Sequence, residues 1–219
     1  MQFTGLSDRN LKYYTDRFRK LGDSPETFWN SQESQEVRFR ALTRIGDLDT
    51  RSILDVGCGT GDFLKFLIEE EYQIARYLGC DLVEAAIQIA RKKHPCHSFL
   101  IFDVRGLNFD DQFDFVFGSG LFALDEKDWH ARVIEIVTKM YALCRIGVGV
   151  NFLSKFGLGR DLDSFYSDPG EIFTLLTKEI SPRGAFLDHT YKENDFTIFL
   201  YRPDFTKYPQ ALETNRRRS

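Results

Sequence analysis

Several common signatures are missing from this chain, and each absence closes off a class of function. No apolar stretch approaches the ~18 residues of a membrane span. No apolar leader stands at the start, where Met1 to Asp16 are polar and aromatic. The four cysteines, Cys58, Cys80, Cys96 and Cys144, form no C-x-x-C pair and do not stand at zinc-ligand spacing from a histidine. No metal is expected, and four reduced thiols imply a reducing, cytoplasmic setting. Positive charge is not in excess: 29 Lys and Arg stand against 33 Asp and Glu, for a net charge of −4. No global field therefore draws the chain to nucleic acid or acidic lipid. The one basic run, Arg216 to Arg218, reads as a solvated end. Repeats and low-complexity tracts are absent too, and the sequence leaves the oligomeric state open.

What is present is ordinary in amount and specific in order. The 219 residues, 42% hydrophobic and 28% charged, suffice for one domain with a sizeable core. From residue 51 onward, short apolar runs alternate with helical periodicity. Strands are expected at Ser52 to Val56, Tyr77 to Asp81, Phe99 to Phe102, Phe113 to Phe117 and Val148 to Leu153. Helices are expected at Asp62 to Glu70 and Ala85 to Lys93, and along the apolar steps Trp129, Val133, Ile136, Val137 and Met140. This alternation predicts a parallel sheet covered by helices on both faces. The chain then departs from it. Asp168-Pro169-Gly170-Glu171 is a strong helix start, and Ala185 to Tyr191 and Phe196 to Tyr201 are strand-like runs joined by only four residues. So short a link predicts an antiparallel hairpin. The divisions expected are a helical cap over 1–50, a core domain over 51–203 and a tail over 204–219.

The chemistry concentrates in Asp55-Val56-Gly57-Cys58-Gly59-Thr60-Gly61-Asp62, which follows a strand and opens a helix. Glycines at 57, 59 and 61 permit a sharp turn and let a ligand lie against the backbone. A dinucleotide fingerprint would place its third glycine one residue later. Asp62 would instead repel a pyrophosphate at the helix N-terminus, so a ligand with positive charge and no phosphate fits better.

Asp55-x-Gly57-x-Gly59-x-Gly61 resembles the first motif of class I S-adenosylmethionine-dependent methyltransferases. The resemblance covers roughly residues 51–202 and implies a Rossmann-like α/β fold: a seven-stranded sheet, mostly parallel, with an antiparallel C-terminal hairpin. It implies S-adenosylmethionine as cofactor, S-adenosylhomocysteine as product, and a cofactor-binding loop that includes Cys58. Asp81, closing the second strand, would bind both ribose hydroxyls. Asp103, closing the third, would accept from the adenine amino group, with Leu82 and Val104 flanking the ring. Gly118 and Ser119, ending the fourth, would meet the methionine ammonium through their carbonyls. The segments Asp23-Ser24-Pro25, Trp29-x-Ser31-x-Glu33-Ser34-Gln35-Glu36 and Tyr166-x-Asp168-Pro169 are similar to a group of small bacterial methyltransferases with no uniform substrate.

The expected reaction is O- or N-methylation of a small molecule by in-line displacement. Methylation of protein or RNA, or cofactor binding without catalysis, are the alternatives. A general base would come from His189, Tyr166 or Tyr191, with His130 and Asp163 behind them; a carboxylate acceptor would need none. The aromatics Tyr13, Tyr14, Phe18, Phe28 and Trp29 would roof the site, and Arg38 would pair with the cofactor carboxylate. The rival placement sets this helical segment on the back of the sheet with Arg38 solvated.

Overall fold

The computed structural model describes residues 8–24, 31–106, 112–124, 127–158, 164–180 and 184–202. Pro25, Phe28, Trp29, Asp163 and the tail beyond 202 lie outside them. Among the described residues, two helices come first, α1 (Asp8–Leu21) and α2 (Gln32–Leu42). The alternating core follows: β1 (Ser52–Val56), α3 (Asp62–Glu69), β2 (Arg76–Asp81), α4 (Glu84–Lys93), β3 (Ser98–Ile101), β4 (Phe113–Gly118), α5 (Trp129–Leu143) and β5 (Cys144–Leu153). It closes with α6 (Pro169–Glu179), β6 (Ala185–Lys192) and β7 (Asp195–Tyr201). Among the described residues no helix is long and apolar enough to cross a membrane.

The seven strands lie in the order β3-β2-β1-β4-β5-β7-β6. Strands β1 to β5 are parallel, and β7 enters antiparallel between β5 and β6. The expected hairpin is therefore present, but only β7 opposes the sheet; β6, antiparallel to β7, runs with the rest. Insertion buries β7 on both faces, and all seven of its residues are buried. Its sequence, Asp195-Phe-Thr-Ile-Phe-Leu-Tyr201, consequently lacks the alternation of an edge strand.

Successive residues sort onto two cores, as the strand period of two requires. Leu54 and Val56 of β1 pack with Val133, Val137 and Met140 of α5 and Ile172 and Leu176 of α6. Ile53 faces the other way, with Phe39 and Leu42 of α2 and Phe63 and Phe66 of α3. Helix ends follow the sequence signals. Asp168 Oδ1 accepts from the N–H groups of Gly170 and Glu171 at 2.8 and 3.1 Å, with Pro169 in the first turn. Ser31 Oγ accepts from Ser34 N at 3.1 Å and caps α2.

β5 begins four residues before the apolar run at Val148, directly from the end of α5. Gly147 hides that start, and Gly149 follows within the run. They fit because a side chain there would press on neighbours: a Cβ at 147 would lie 3.2 Å from Leu200 O, and one at 149 3.1 Å from the Phe117 ring.

Candidate active site

The sheet order reverses between β1 and β4, and beyond the carboxyl ends of these strands lies a crevice, the place an open α/β sheet offers a ligand. Its empty space is roughly 1110 Å³, mouth included. The glycine loop forms one wall. Gly57, Gly59 and Gly61 have φ of +72°, +53° and +83°, a region open to glycine at little cost. The N–H groups of Gly57 and Cys58 both donate to Cys80 O, at 2.8 and 3.1 Å, and so stitch the loop to the end of β2.

Three acids stand at this end of the sheet. Asp55 is buried and accepts from Tyr77 Oη at 2.6 Å. Burial pushes its carboxyl up to about 7, opposed by the Tyr77 bond and reinforced by Asp81 and Asp62. Asp81 accepts from Gly59 N at 2.9 Å through one oxygen and from Val83 N at 2.8 Å through the other. A carboxylate has about four acceptor positions, so capacity remains for a ligand. Burial raises this carboxyl too, and the N–H groups of Val83 and Gly59 hold it down. Asp103 is held by Arg105, whose Nε lies 3.0 Å from both carboxylate oxygens. Arg105 N also donates to Oδ1, at 3.0 Å, so the acceptor capacity left for an adenine amino group lies on Oδ2.

The remaining lining comes from three directions. Leu82, Val83, Phe102 and Val104 are apolar and sit with Asp81 and Asp103. Ser119, Gly120 and Leu121 follow β4, with Arg132 and Ile136 from α5. Asn10, Leu11 and Tyr14 of α1 and Gln35 and Phe39 of α2 close it from the N-terminal side. The Tyr14 phenol is raised by desolvation first, then by Tyr13 and Asp81, against Arg132. Arg132 Nη2 donates to Leu121 O at 2.6 Å. Asp62, read from sequence as a bare repelling charge, is paired with Lys93 at 2.8 Å and accepts from Gln35 at 3.3 Å, so its repulsion is weaker than the sequence implies.

The crevice thus gathers Asp55, Gly57, Cys58, Gly59, Asp81, Leu82, Asp103, Val104 and Ser119 of the residues expected there. Gly61 and Gly118 stand just behind the lining: Gly61 precedes α3, and Gly118 is the last residue of β4, covered by Leu121. Arg38 is placed differently. It is buried and donates to Asp195 and to the Ser34 carbonyl and hydroxyl, because α2 packs on β5, β6 and β7 and turns this side chain into the protein. The expected bases also lie outside the lining. His189 bonds the Glu193 carbonyl at 2.9 Å and Tyr191 Oη bonds Asp195 at 2.6 Å, both on β6, the sheet edge farthest from β1 on that side. Tyr166 stands before α6, and His130 lies 3.7 Å from Glu171. Of the expected roof, Tyr14 lines the crevice, while Phe18 packs on Val83 and Ala86. Neither placement of the cap holds whole: α1 borders the crevice, and α2 is half core.

Comparison with known proteins agrees with this geometry. Residues 53–143 match the family model described as a methyltransferase domain. A Mycobacterium tuberculosis protein named as a methyltransferase, Rv1506c, is 27% identical over 162 residues, 71% of this chain and 96% of that one. A malonyl-[acyl-carrier protein] O-methyltransferase of Priestia megaterium is 28% identical over 139 residues; 62% of this chain is matched, but only 48% of that protein is spanned. Among solved structures, the DhpI complex with SAM and HEP aligns with a TM-score of 0.68 at 18% identity, over 93% of this chain and 100% of that one. Magnesium protoporphyrin IX methyltransferase of Synechocystis PCC 6803 with bound SAM aligns at 0.62 and 16% identity, over 92% and 100%. Residues 53–143 are thus similar to a methyltransferase domain, and the fold is the one shared by S-adenosylmethionine-dependent methyltransferases.

Proposed function

We propose that the protein methylates an oxygen or nitrogen of a small molecule in the cytoplasm, using S-adenosylmethionine held in this crevice. The observation that carries the reading is the pairing of the glycine loop with Asp81. Gly59 N holds the Asp81 carboxylate at 2.9 Å beside a backbone bare of side chains, so two acceptor oxygens face a surface that a nucleoside can approach closely. The fit is chemical as well as steric. Asp55 and Asp81 favour a cationic ligand, and Leu82, Val83, Phe102 and Val104 give a flat base an apolar bed. In this reading Asp81 takes the ribose hydroxyls. Gly57, Cys58 and Gly59 border the amino-acid end, and Asp103, its charge offset by Arg105, offers the base the acceptor capacity left on its carboxylate. With Arg38 turned inward, Arg132 is the cation that the described lining offers to a carboxylate.

S-adenosylmethionine supplies, when bound, a methyl group already activated for displacement. The protein's task is then to align a nucleophile with it and to exclude water. Tyr14, Leu11, Gln35 and Phe39 border the mouth and serve the second purpose. Among the described lining residues no histidine is present, which favours an acceptor that reacts without strong base assistance. The concave crevice and the acidic chain favour a small molecule over RNA or protein. Methyl-labelled S-adenosylmethionine, offered with a metabolite pool and separately with protein and RNA extracts, tests this. Label should enter the metabolite fraction; label confined to protein or RNA would overturn the small-molecule reading.

A further inference from the structure

A buried series of hydrogen bonds runs from the crevice wall to α2, and one charge sets its direction. Arg38 Nε donates to Asp195 Oδ2 at 2.5 Å, and both side chains are buried. A guanidinium keeps its proton, and burying it beside a neutral acid would leave the cation uncompensated. Asp195 is therefore a carboxylate and can only accept. Burial pushes its carboxyl up, while Arg38, Tyr191 and Lys192 pull it down. Tyr191 Oη donates to Asp195 Oδ1 at 2.6 Å. That uses its one proton, so in the 2.9 Å contact with Thr197 Oγ1 the threonine donates. Thr197 must then accept from Asn151 Nδ2 at 2.7 Å. This fixes the amide, turns Asn151 Oδ1 toward Ser119, and makes Ser119 Oγ the donor at 2.7 Å. Asn151, Thr197 and Asp195 are all buried, so water does not loosen the order.

We infer that Ser119 is an obligate hydrogen-bond acceptor in the crevice, held so by Asn151, Thr197, Tyr191 and the Arg38–Asp195 pair, and that it takes a ligand group bearing N–H or O–H and turns away a carboxylate. Ser119 lines the crevice, its proton is committed inward, and only lone pairs face a ligand. The series is a positioning device and not a proton exit, because the Asn151 amide passes hydrogen-bond polarity but does not accept and release a proton. Resting on the methyl-transfer reading, the inference names two sources of the donor. One is the ammonium of the cofactor's amino-acid end; the other is the amine or hydroxyl to be methylated.

Calorimetry on the full chain separates them, with S-adenosylhomocysteine and its analogue lacking the α-amino group as probes. If the ammonium is the donor, Ser119→Ala weakens S-adenosylhomocysteine roughly tenfold or more, the worth of a hydrogen bond to a charged group. The deaminated analogue is then unaffected. Asp195→Asn, whose amide can donate back to Tyr191, gives a smaller loss in the same direction. If the acceptor is the donor, neither probe responds, and the labelled product made from a metabolite pool survives mild alkali without releasing methanol. Equal weakening of both probes by Ser119→Ala overturns the inference. So does an absence of weakening together with an alkali-labile methyl ester, or with no product at all. Ser119→Ala carries the test if Asp195→Asn melts early. The wild-type titration tests the reading of the site and the variant difference tests Ser119, so the two fail separately.

Discussion

The two ends of the crevice are built by opposite means. At the nucleoside end, polar groups are satisfied at short range, within the turn itself or by the next strand: Asp81 by Val83 and Gly59, Asp103 by Arg105, and the loop at Gly57 and Cys58 by Cys80 of β2. At the Ser119 end they are satisfied across the fold, by Asn151, Thr197, Tyr191 and Asp195, with Arg38 joined to Asp195 over 157 residues of chain. The first kind of site is assembled within one contiguous run, β1-α3-β2-α4-β3 and the turn after it. The second exists only after α2 and the β6–β7 hairpin have docked, so its geometry is tied to global stability.

Four changes sharpen or break this contrast. The largest effect belongs to Arg38→Ala, which strands a buried carboxylate. It should cost about 3–5 kcal/mol of stability, read by urea unfolding, and a cost near zero would mean that the Ser119 end does not depend on this pair. Next is Gly59→Val at the nucleoside end. A β-branched residue at φ +53° is strained by about 1–3 kcal/mol, so cofactor affinity should fall roughly tenfold or more while the Arg38 end stays intact. Normal binding would separate the loop from the ligand.

The third change is in pH. Asp55 is raised from the ordinary carboxylate range to about 7, so the folded state holds a proton that the unfolded chain has released. That contribution is present at pH 4 and lost as pH rises through about 7. The melting temperature of the ligand-free protein should fall over that window, and Asp55→Asn should flatten the fall. A sulfonium prefers the ionised acid, so affinity for S-adenosylmethionine relative to S-adenosylhomocysteine should rise over the same window. A ratio independent of pH would remove Asp55 from contact with the ligand. The smallest effect is at the rim, where Lys93 reaches Asp23 at 3.4 Å and Asp62 at 2.8 Å. Partly exposed pairs contribute about 0.2–1 kcal/mol, so Lys93→Ala should speed proteolytic cleavage near Gly22 a few-fold. S-adenosylhomocysteine should slow it again; cleavage indifferent to ligand would remove α1 from any closing motion.

The same contrast explains what the sequence made legible. The alternation of strands and helices, the Asp168-Pro169 helix start and the acids closing β1, β2 and β3 are local patterns, and each stands where local chemistry puts it. The order in which strands assemble is not local. The short link, four residues as expected and two (Glu193 and Asn194) between β6 and β7 as observed, dictates antiparallel pairing but not that β7 slides in beside β5. Arg38 shows the limit most clearly. Its side chain suits a ligand carboxylate, and nothing near it in sequence reveals that Asp195 takes it first. His189 and Tyr191 look like catalytic groups for the same reason, until the strand order carries β6 to the sheet edge. Arg132 is hard to single out because a helical residue enters a site through packing, without a motif around it.

The central claim is that the glycine loop and Asp81 together form the cofactor's nucleoside site. Calorimetric titration of the wild-type chain and of Asp81→Ala with S-adenosylhomocysteine, and with NAD as the competing nucleotide, tests it most directly. The two charge-assisted bonds at stake are worth roughly 1.5–3 kcal/mol each. The wild-type protein should bind S-adenosylhomocysteine in the micromolar range and NAD far more weakly, and Asp81→Ala, still folded by circular dichroism, should lose at least about tenfold in affinity. Tight NAD binding without S-adenosylhomocysteine binding, or an unchanged Kd in a folded Asp81→Ala protein, would contradict the account.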